Sequence, residues 1–293
     1  MAFSSLKAGF VADWLTNRLF RAILSVLLRL PFDRRREFFG WLVSRVVAPL
    51  AGYRTRVRNN LNLVFPDMPK PEIERLARAV PANVARTVME IYSGEEFIAR
   101  VAQAPLTGPG VAALEEAHRT DRPVLLVTGH IGNYDAIRAA LISRGYRVGG
   151  LYRPMSNRFF NPHYVAAISV IGTPLFARGR RGLSDMIRFL KSGGMVGVVL
   201  DQHMSDGEPL LFMGKTAMTS LSVGQMALRY NALVIPTYGI RRADGSFELI
   251  VESPVENTDA KTMTQALNNS LEQQVRAHLD QWLWTHRRWR TLT

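Results

Sequence analysis

The chain contains no cysteine. That excludes disulfides and thiolate metal ligands, and it suits a reducing compartment. It also lacks a long uninterrupted apolar run. The most apolar stretch, Phe10 to Leu30, is broken by Asp13, Arg18, Arg21 and Arg29, whereas a spanning helix needs about 20 apolar residues in succession. No Gly-x-Ser-x-Gly occurs, which disfavours a nucleophile-elbow hydrolase. Zinc-finger spacing, an RRM signature and internal repeats are absent too. Acidic residues are few: 24 Asp and Glu face 37 Lys and Arg, a net charge of +13 over 293 residues. Such an excess calls for a polyanionic partner. Nucleic acid, anionic lipid and an acidic carrier protein all qualify; with the charge spread along the chain and no nucleic-acid motif present, membrane or phosphorylated lipid is the better reading.

Of what is present, residues 1–30 bear on the membrane question. At 100° per residue, Arg18, Arg21, Ser25 and Arg29 fall on one stripe, with Leu15, Leu19, Ile23, Val26, Leu27 and Leu30 opposite. That pattern describes an amphipathic helix lying in a membrane interface; a helix packed on the protein's own core gives the same pattern. No small-residue cleavage site follows, so a signal peptide is not expected. Near the other end, Trp282, Trp284, His286, Arg287, Arg288, Trp289 and Arg290 interleave aromatic and basic residues. They suit a membrane interface, stacking on nucleic acid, or a cap on the core.

The chemistry concentrates between Pro123 and Arg144. Val124 to Val127 reads as a buried strand, Gly129 to Asn133 as a break, and the residues from Tyr134 as a helix with Ile137, Leu141 and Ile142 on one face. His130 then lies at the carboxyl end of a strand, where sites form in open α/β sheets, and Asp135 lies in the first helical turn. A carboxylate beside an imidazole orients it for general-base work. A second His-x4-acid match, His203 and Glu208, falls in a polar loop. Further on, Arg153 follows a strand, Arg178 to Gly182 form a basic turn opening a helix, and Asp201 ends another strand. Helices are expected over 33–47, 71–79, 83–92 and 262–284. The fold class is α/β: a mixed central sheet with flanking helices and an N-terminal membrane-associated helix. The expected division is a helical segment, 1–52, and an α/β domain, 53–293.

Five segments resemble one family in order and spread: GHIGNYD at 129–135, LYRP at 151–154, GRRGLSDMIRFLKSGGMVGVVLDQ at 179–202, LFMGKTAMTS at 211–220 and QWLWTHRRWR at 281–290. They are similar to the late acyltransferases of lipid A biosynthesis, within the glycerolipid acyltransferase class that carries His-x4-Asp/Glu. The resemblance implies a bacterial enzyme on the cytoplasmic face of the inner membrane. Acyl carrier protein would donate the acyl chain to a hydroxyl of a phosphorylated disaccharide lipid. His130 and Asp135 match the family's dyad, and Asp201 its later acidic residue. Arg153 lies in the shared YRP segment. The family often has an arginine around Ile168 and Ser169; this chain has none there, and Arg178 or Arg180 is expected to substitute. Arg153, Arg178, Arg180, Arg181, Asp201 and Asn133 form the expected substrate-binding set, with Gly129 and Gly132 as the oxyanion site. The scheme needs no metal or cofactor. Two alternatives stay open: another acceptor, such as a lysophospholipid or a different glycolipid, and a basic membrane-surface binding module without catalysis.

Overall fold

The computed structural model describes residues 2–290, and side chains from residue 10 onward. Helix α1 (Ala2–Leu27) carries three stripes. Asn17, Leu24 and Leu27 are buried, and Leu24 and Leu27 pack with Phe39, Ala85 and Met89. Val11, Leu15, Leu19, Ala22 and Val26 form an exposed second stripe, and Arg18, Arg21 and Ser25 an exposed third. The side read from sequence as one apolar face is thus divided. Leu27 turns inward and Leu15, Leu19 and Val26 outward, as their spacing around the helix requires. No helix among the described residues is long and apolar enough to cross a membrane.

A turn closed by Pro31 leads into α2 (Phe32–Leu42), which continues through a π-helical turn (Val43–Val47) into α3 (Ala48–Leu50) and then α4 (Tyr53–Val64). Next comes α5 (Lys70–Tyr92), a single helix with Pro81 inside it. Two helices were predicted across this stretch, because an interior proline removes one backbone hydrogen bond. The buried face continues on both sides of it, through Ile73, Leu76, Ala77 and Val80 and then Ala85 and Met89, and that packing holds the helix together.

The remaining elements alternate: α6 (Glu95–Ala102), β1 (Leu106–Thr107), α7 (Val111–Arg119), β2 (Val124–Thr128), α8 (Ala136–Ser143), β3 (Val148–Tyr152), α9 (Phe160–Ile171), β4 (Leu175–Ala177), α10 (Arg180–Lys191), β5 (Met195–Val199), the hairpin β6 (Glu208–Phe212) and β7 (Lys215–Thr219), α11 (Ser222–Tyr230), β8 (Leu233–Arg241), β9 (Phe247–Val251) and α12 (Ala260–Ala277). The main sheet has the order β1-β9-β8-β2-β5-β3-β4. Strands β8, β2, β5, β3 and β4 run parallel, and β9 lies antiparallel to β8. Central β2 is buried on both faces. Val124 and Leu126 join the core under α6, α7 and α8, while Leu125 and Val127 join the core under α10, α11 and α12. That is why its sequence is a continuous apolar run rather than an alternating one. The parallel strands bring the residues that follow β2, β5, β3 and β4 to one edge of the sheet.

Helix α12 stops at Ala277, short of the predicted end at Trp284. The residues after it fold back irregularly over the molecule. Trp282, Trp284 and Trp289 are fully buried and pack with Phe212. Of the three readings open for this segment, the core cap is the one realised.

A buried ion pair joins α5 to the end of β8. Arg241 contacts Glu90 through Nε (2.8 Å) and Nη2 (2.6 Å), and Glu90 is wholly inaccessible. Removing one partner leaves a buried charge uncompensated, at a cost of about 3–5 kcal/mol. Arg241→Ala is therefore expected to lower the unfolding free energy by about that amount, measured by urea denaturation followed through tryptophan fluorescence. A loss below about 1 kcal/mol, the worth of a surface pair, would show that the pair does not brace the two elements.

Candidate active site

The turn after β2 is held by the C-terminal segment and by β8. Leu283 N–H donates to His130 O (3.0 Å), Gly132 N–H to Gln281 O (3.2 Å) and Asn133 N–H to Gly239 O (2.8 Å). Gly132 has φ of 54°, and a Cβ there would lie 2.1 Å from Gly239 O, so only glycine fits the approach to β8. Its N–H is already engaged, which corrects the expectation that Gly132 supplies an oxyanion donor. Asn133 is likewise no substrate contact. It is wholly buried, its Nδ2 donates to Glu90 Oε2 (2.9 Å), and its Oδ1 accepts from Asp135 N–H (3.0 Å). The Arg241–Glu90 pair therefore extends through Asn133 into the His130 turn.

The carboxylate that meets His130 is Asp201, not Asp135. His130 Nδ1 lies 2.7 Å from Asp201 Oδ1, and His130 N–H donates to Asp201 Oδ2 at 2.7 Å. Trp282 Nε1–H donates to the same Oδ2 at 2.8 Å. Register explains the meeting. Thr128 pairs with Val199 in the parallel ladder, and His130 and Asp201 each lie two residues beyond that pair. A Cβ on Gly129 would come within 2.7 Å of Leu271 Cδ1 and 3.2 Å of Asp201 Oδ2, so the glycine leaves room for both side chains.

Asp135 is occupied elsewhere. Arg138 Nε donates to its Oδ1 at 2.7 Å, and the same guanidinium donates to the Gly172 and Ile168 carbonyls at 2.9 and 3.2 Å. The predicted His130–Asp135 contact is thus replaced by an Asp135–Arg138 pair that ties α8 to the end of α9. Arg138 thus reaches the backbone at Ile168, where this chain has no arginine of its own. Of the second spacing match, Glu208 pairs with Lys261 at 2.9 Å.

A carboxylate can only accept, so the imidazole is held as the Nδ1–H tautomer, with the Nε2 lone pair left for chemistry. The ring is 23 % exposed while the Asp201 side chain is 2 % exposed, so the base reaches the surface and its partner does not. Burial works to depress the imidazole pKa, but the charge and hydrogen bond of Asp201 outweigh it and the value is raised above 6.5. Burial alone would raise Asp201; the His130 charge, two hydrogen bonds from His130 and one from Trp282 instead hold it down at about 2. His286 receives the His203 N–H on Nε2 (2.9 Å) and is pushed down to about 4, chiefly by burial, which the Asp201 charge only partly offsets. Its ring stays neutral at neutral pH. Tyr134 packs edge-on against His130, with ring centroids 5.3 Å apart.

Arg153, after β3, and Arg178, after β4, line one cleft of about 570 Å³. Arg180 and Arg181 are exposed on the first turn of α10 and do not line it. Sequence reasoning missed His203 and Arg290, which do. The C-terminal run is basic in sequence, but nothing in its spacing places Arg290 in a cleft with Arg153 and Arg178.

A histidine base braced by a buried carboxylate at parallel strand ends is an arrangement suited to activating a hydroxyl, as group-transfer enzymes of α/β fold do. The chain belongs to the bacterial lipid A biosynthesis acyltransferase family, whose sequence profile matches residues 5–291. Among curated relatives, a lipid A biosynthesis acyltransferase of Haemophilus influenzae is 25% identical, covering 95% of this chain and 90% of its own. The lipid A biosynthesis lauroyltransferase of Escherichia coli is 24% identical over 80% of this chain and 78% of its own. The palmitoleoyltransferase of the same organism is 24% identical over 87% and 84%.

The ion pair has a direct titration consequence. In ¹⁵N-imidazole spectra, His130 is expected to titrate above 6.5 in the wild type and below 6.5 in Asp201→Asn, where burial is no longer opposed. Because its folded pKa is raised, the stability that His130 contributes is present below 6.5 and is lost as pH rises through the folded value. An unchanged His130 titration in Asp201→Asn would contradict the assignment of the partner.

Proposed function

We propose that the protein transfers a fatty acyl chain from the thioester of acyl carrier protein to a hydroxyl of a phosphorylated lipid A precursor, at the cytoplasmic face of the bacterial inner membrane. The observation that carries the chemistry is the doubly hydrogen-bonded His130–Asp201 pair, within a chain that belongs to the acyltransferase family. His130 Nε2 takes the acceptor hydroxyl's proton as its oxygen attacks the thioester carbonyl. Asp201 stabilises the imidazolium so formed. Collapse of the tetrahedral intermediate breaks the carbon–sulfur bond, and the imidazolium returns its proton to the departing sulfur. The Trp282 indole and the His130 backbone N–H keep Asp201 ionised throughout, so it balances charge without taking the proton, as in serine-protease triads. Gly129 is the glycine of the turn left for the oxyanion role. Asp135 acts indirectly, fixing α8 and α9 through Arg138.

Support for a membrane-surface location comes from α1. Its inner stripe is consumed by packing, yet Val11, Leu15, Leu19 and Val26 remain exposed beside Arg18 and Arg21. An apolar ridge flanked by arginines suits an anionic bilayer interface.

Two experiments test this reading. With acyl carrier protein donors and lipid A precursors, followed by mass spectrometry of the lipids, His130→Ala is expected to lose about 10²–10⁴-fold in turnover or more. Asp201→Asn should lose a comparable amount, with the acid limb of the rate profile moved to lower pH, because the unpaired imidazole sheds its proton earlier. Asp135→Asn should keep the wild-type limb. A limb that moves in Asp135→Asn and not in Asp201→Asn would reverse the assignment, and product formed equally well by His130→Ala would remove the mechanism. Separately, changing Leu15, Leu19 and Val26 together to serine is expected to abolish flotation with anionic vesicles while the circular dichroism spectrum is kept. Undiminished flotation would place the contact elsewhere.

A further inference from the structure

Several arginines are engaged by carboxylates, Arg35, Arg58, Arg86, Arg138 and Arg241 among them. Others are not, and what sets three of these apart is that they converge. Among the described residues, Arg153, Arg178 and Arg290 have no carboxylate within ion-pair distance, and all three line the same cleft of about 570 Å³. They come from separate parts of the chain: the ends of β3 and β4, and the C-terminal segment. One carboxylate, Asp206, lines the cleft with them, so three guanidinium charges face a single negative one. His203 lines it too, and its Nδ1 is buried without a partner. The C-terminal segment is not loosely placed. Arg288 Nη1 donates to the Met218 carbonyl at 2.7 Å and its Nη2 to Thr219 Oγ1 at 2.6 Å, while His286 receives the His203 N–H. Arg290 is therefore presented by a stitched-down stretch of backbone.

The cleft lies beside the reacting pair. Asp201 and His203 share the loop that leaves β5, and β3 and β4 are the next strands along the sheet. At about 4.8 Å between neighbouring strands, the cleft is one or two strand widths from the His130–Asp201 pair.

We propose that this cleft seats a phosphate ester carried by one of the two substrates, held by Arg153, Arg178 and Arg290. Guanidinium forks match phosphate oxygens bidentately, and a phosphate, with more oxygens and more charge than a carboxylate, can engage several forks at once. The volume exceeds that of a phosphate alone and leaves room for the skeleton bearing it. Two sources share this chemistry: the phosphodiester of a carrier-bound pantetheine arm, and a phosphate on the glycolipid acceptor. The choice between them rests on the acyl-transfer reading above; phosphate binding itself does not.

The first arm is calorimetric titration of the intact protein with inorganic pyrophosphate at low salt. Wild type and the exposed-residue control Arg287→Gln are expected to bind alike. Arg153→Gln and Arg290→Gln should bind at least about tenfold more weakly, and Arg290→Lys should fall between, because it keeps the charge but loses the fork. The second arm is steady-state kinetics of Arg290→Gln, varying each substrate in turn. A raised KM for acceptor alone, with wild type also discriminating against a dephosphorylated acceptor, supports the proposal with the acceptor as source. A raised KM for donor alone supports it with the donor as source. No pyrophosphate binding by wild type, equal binding by all variants, or weakened binding with neither KM changed would overturn it. Should acyl transfer itself not be found, the calorimetric arm still decides whether the cleft holds phosphate.

Discussion

One buried carboxylate organises the reactive end of this fold. Asp201 leaves the end of β5 and accepts hydrogen bonds from the His130 backbone, the His130 ring and the Trp282 indole. Those donors belong to stretches more than 150 residues apart in sequence. A buried carboxylate survives only where its oxygens are satisfied, so the strand, the turn and the C-terminal segment have to come together for any of them to be stable. The requirement that sets up the chemistry also closes the chain.

A second layer supports this one without touching it. Glu90 on α5 holds Arg241 on β8 and Asn133 in the His130 turn. Asp135 holds Arg138, which in turn reaches the end of α9. Both are buried charge pairs at the margins of the turn. Each fixes backbone rather than reacting atoms, and a carboxylate so occupied cannot also steer the imidazole. The five-residue spacing from His130 to Asp135 thus marks where a strand becomes a helix, while the orienting carboxylate comes from the neighbouring strand.

Much of the architecture was readable in advance. The apolar run at 124–127, the break at Gly129, and the strand ends before Arg153 and Asp201 all place strands where the structure has them, and for β2 the reason is that a fully buried parallel strand leaves an unmistakable apolar mark. His130, Arg153 and Asp201 were all expected at carboxyl ends of strands, and all lie there; Arg178, read as opening a helix, directly follows β4. What could not be read was which acid faces which base. That depends on the register of β2 against β5, and no local pattern encodes the pairing of Thr128 with Val199. The tryptophans near the C-terminus left three readings open for a related reason. Their spacing beside arginines fits a membrane interface, and it is distant elements, α4, α5, α12 and the hairpin that supplies Phe212, that convert them into core. Pro81 was read as a break because propensity is local, whereas the buried face that overrides it is not.

The central claim is that His130 works against Asp201. The most direct measurement is the proton shared along His130 Nδ1 and Asp201 Oδ1, which a strong charge-assisted hydrogen bond shifts far downfield in proton NMR. At a pH below the His130 pKa, such a resonance is expected in the wild type and in Asp135→Asn, and is expected to be missing from Asp201→Asn and His130→Ala. A resonance that persists in Asp201→Asn and vanishes in Asp135→Asn would contradict the account.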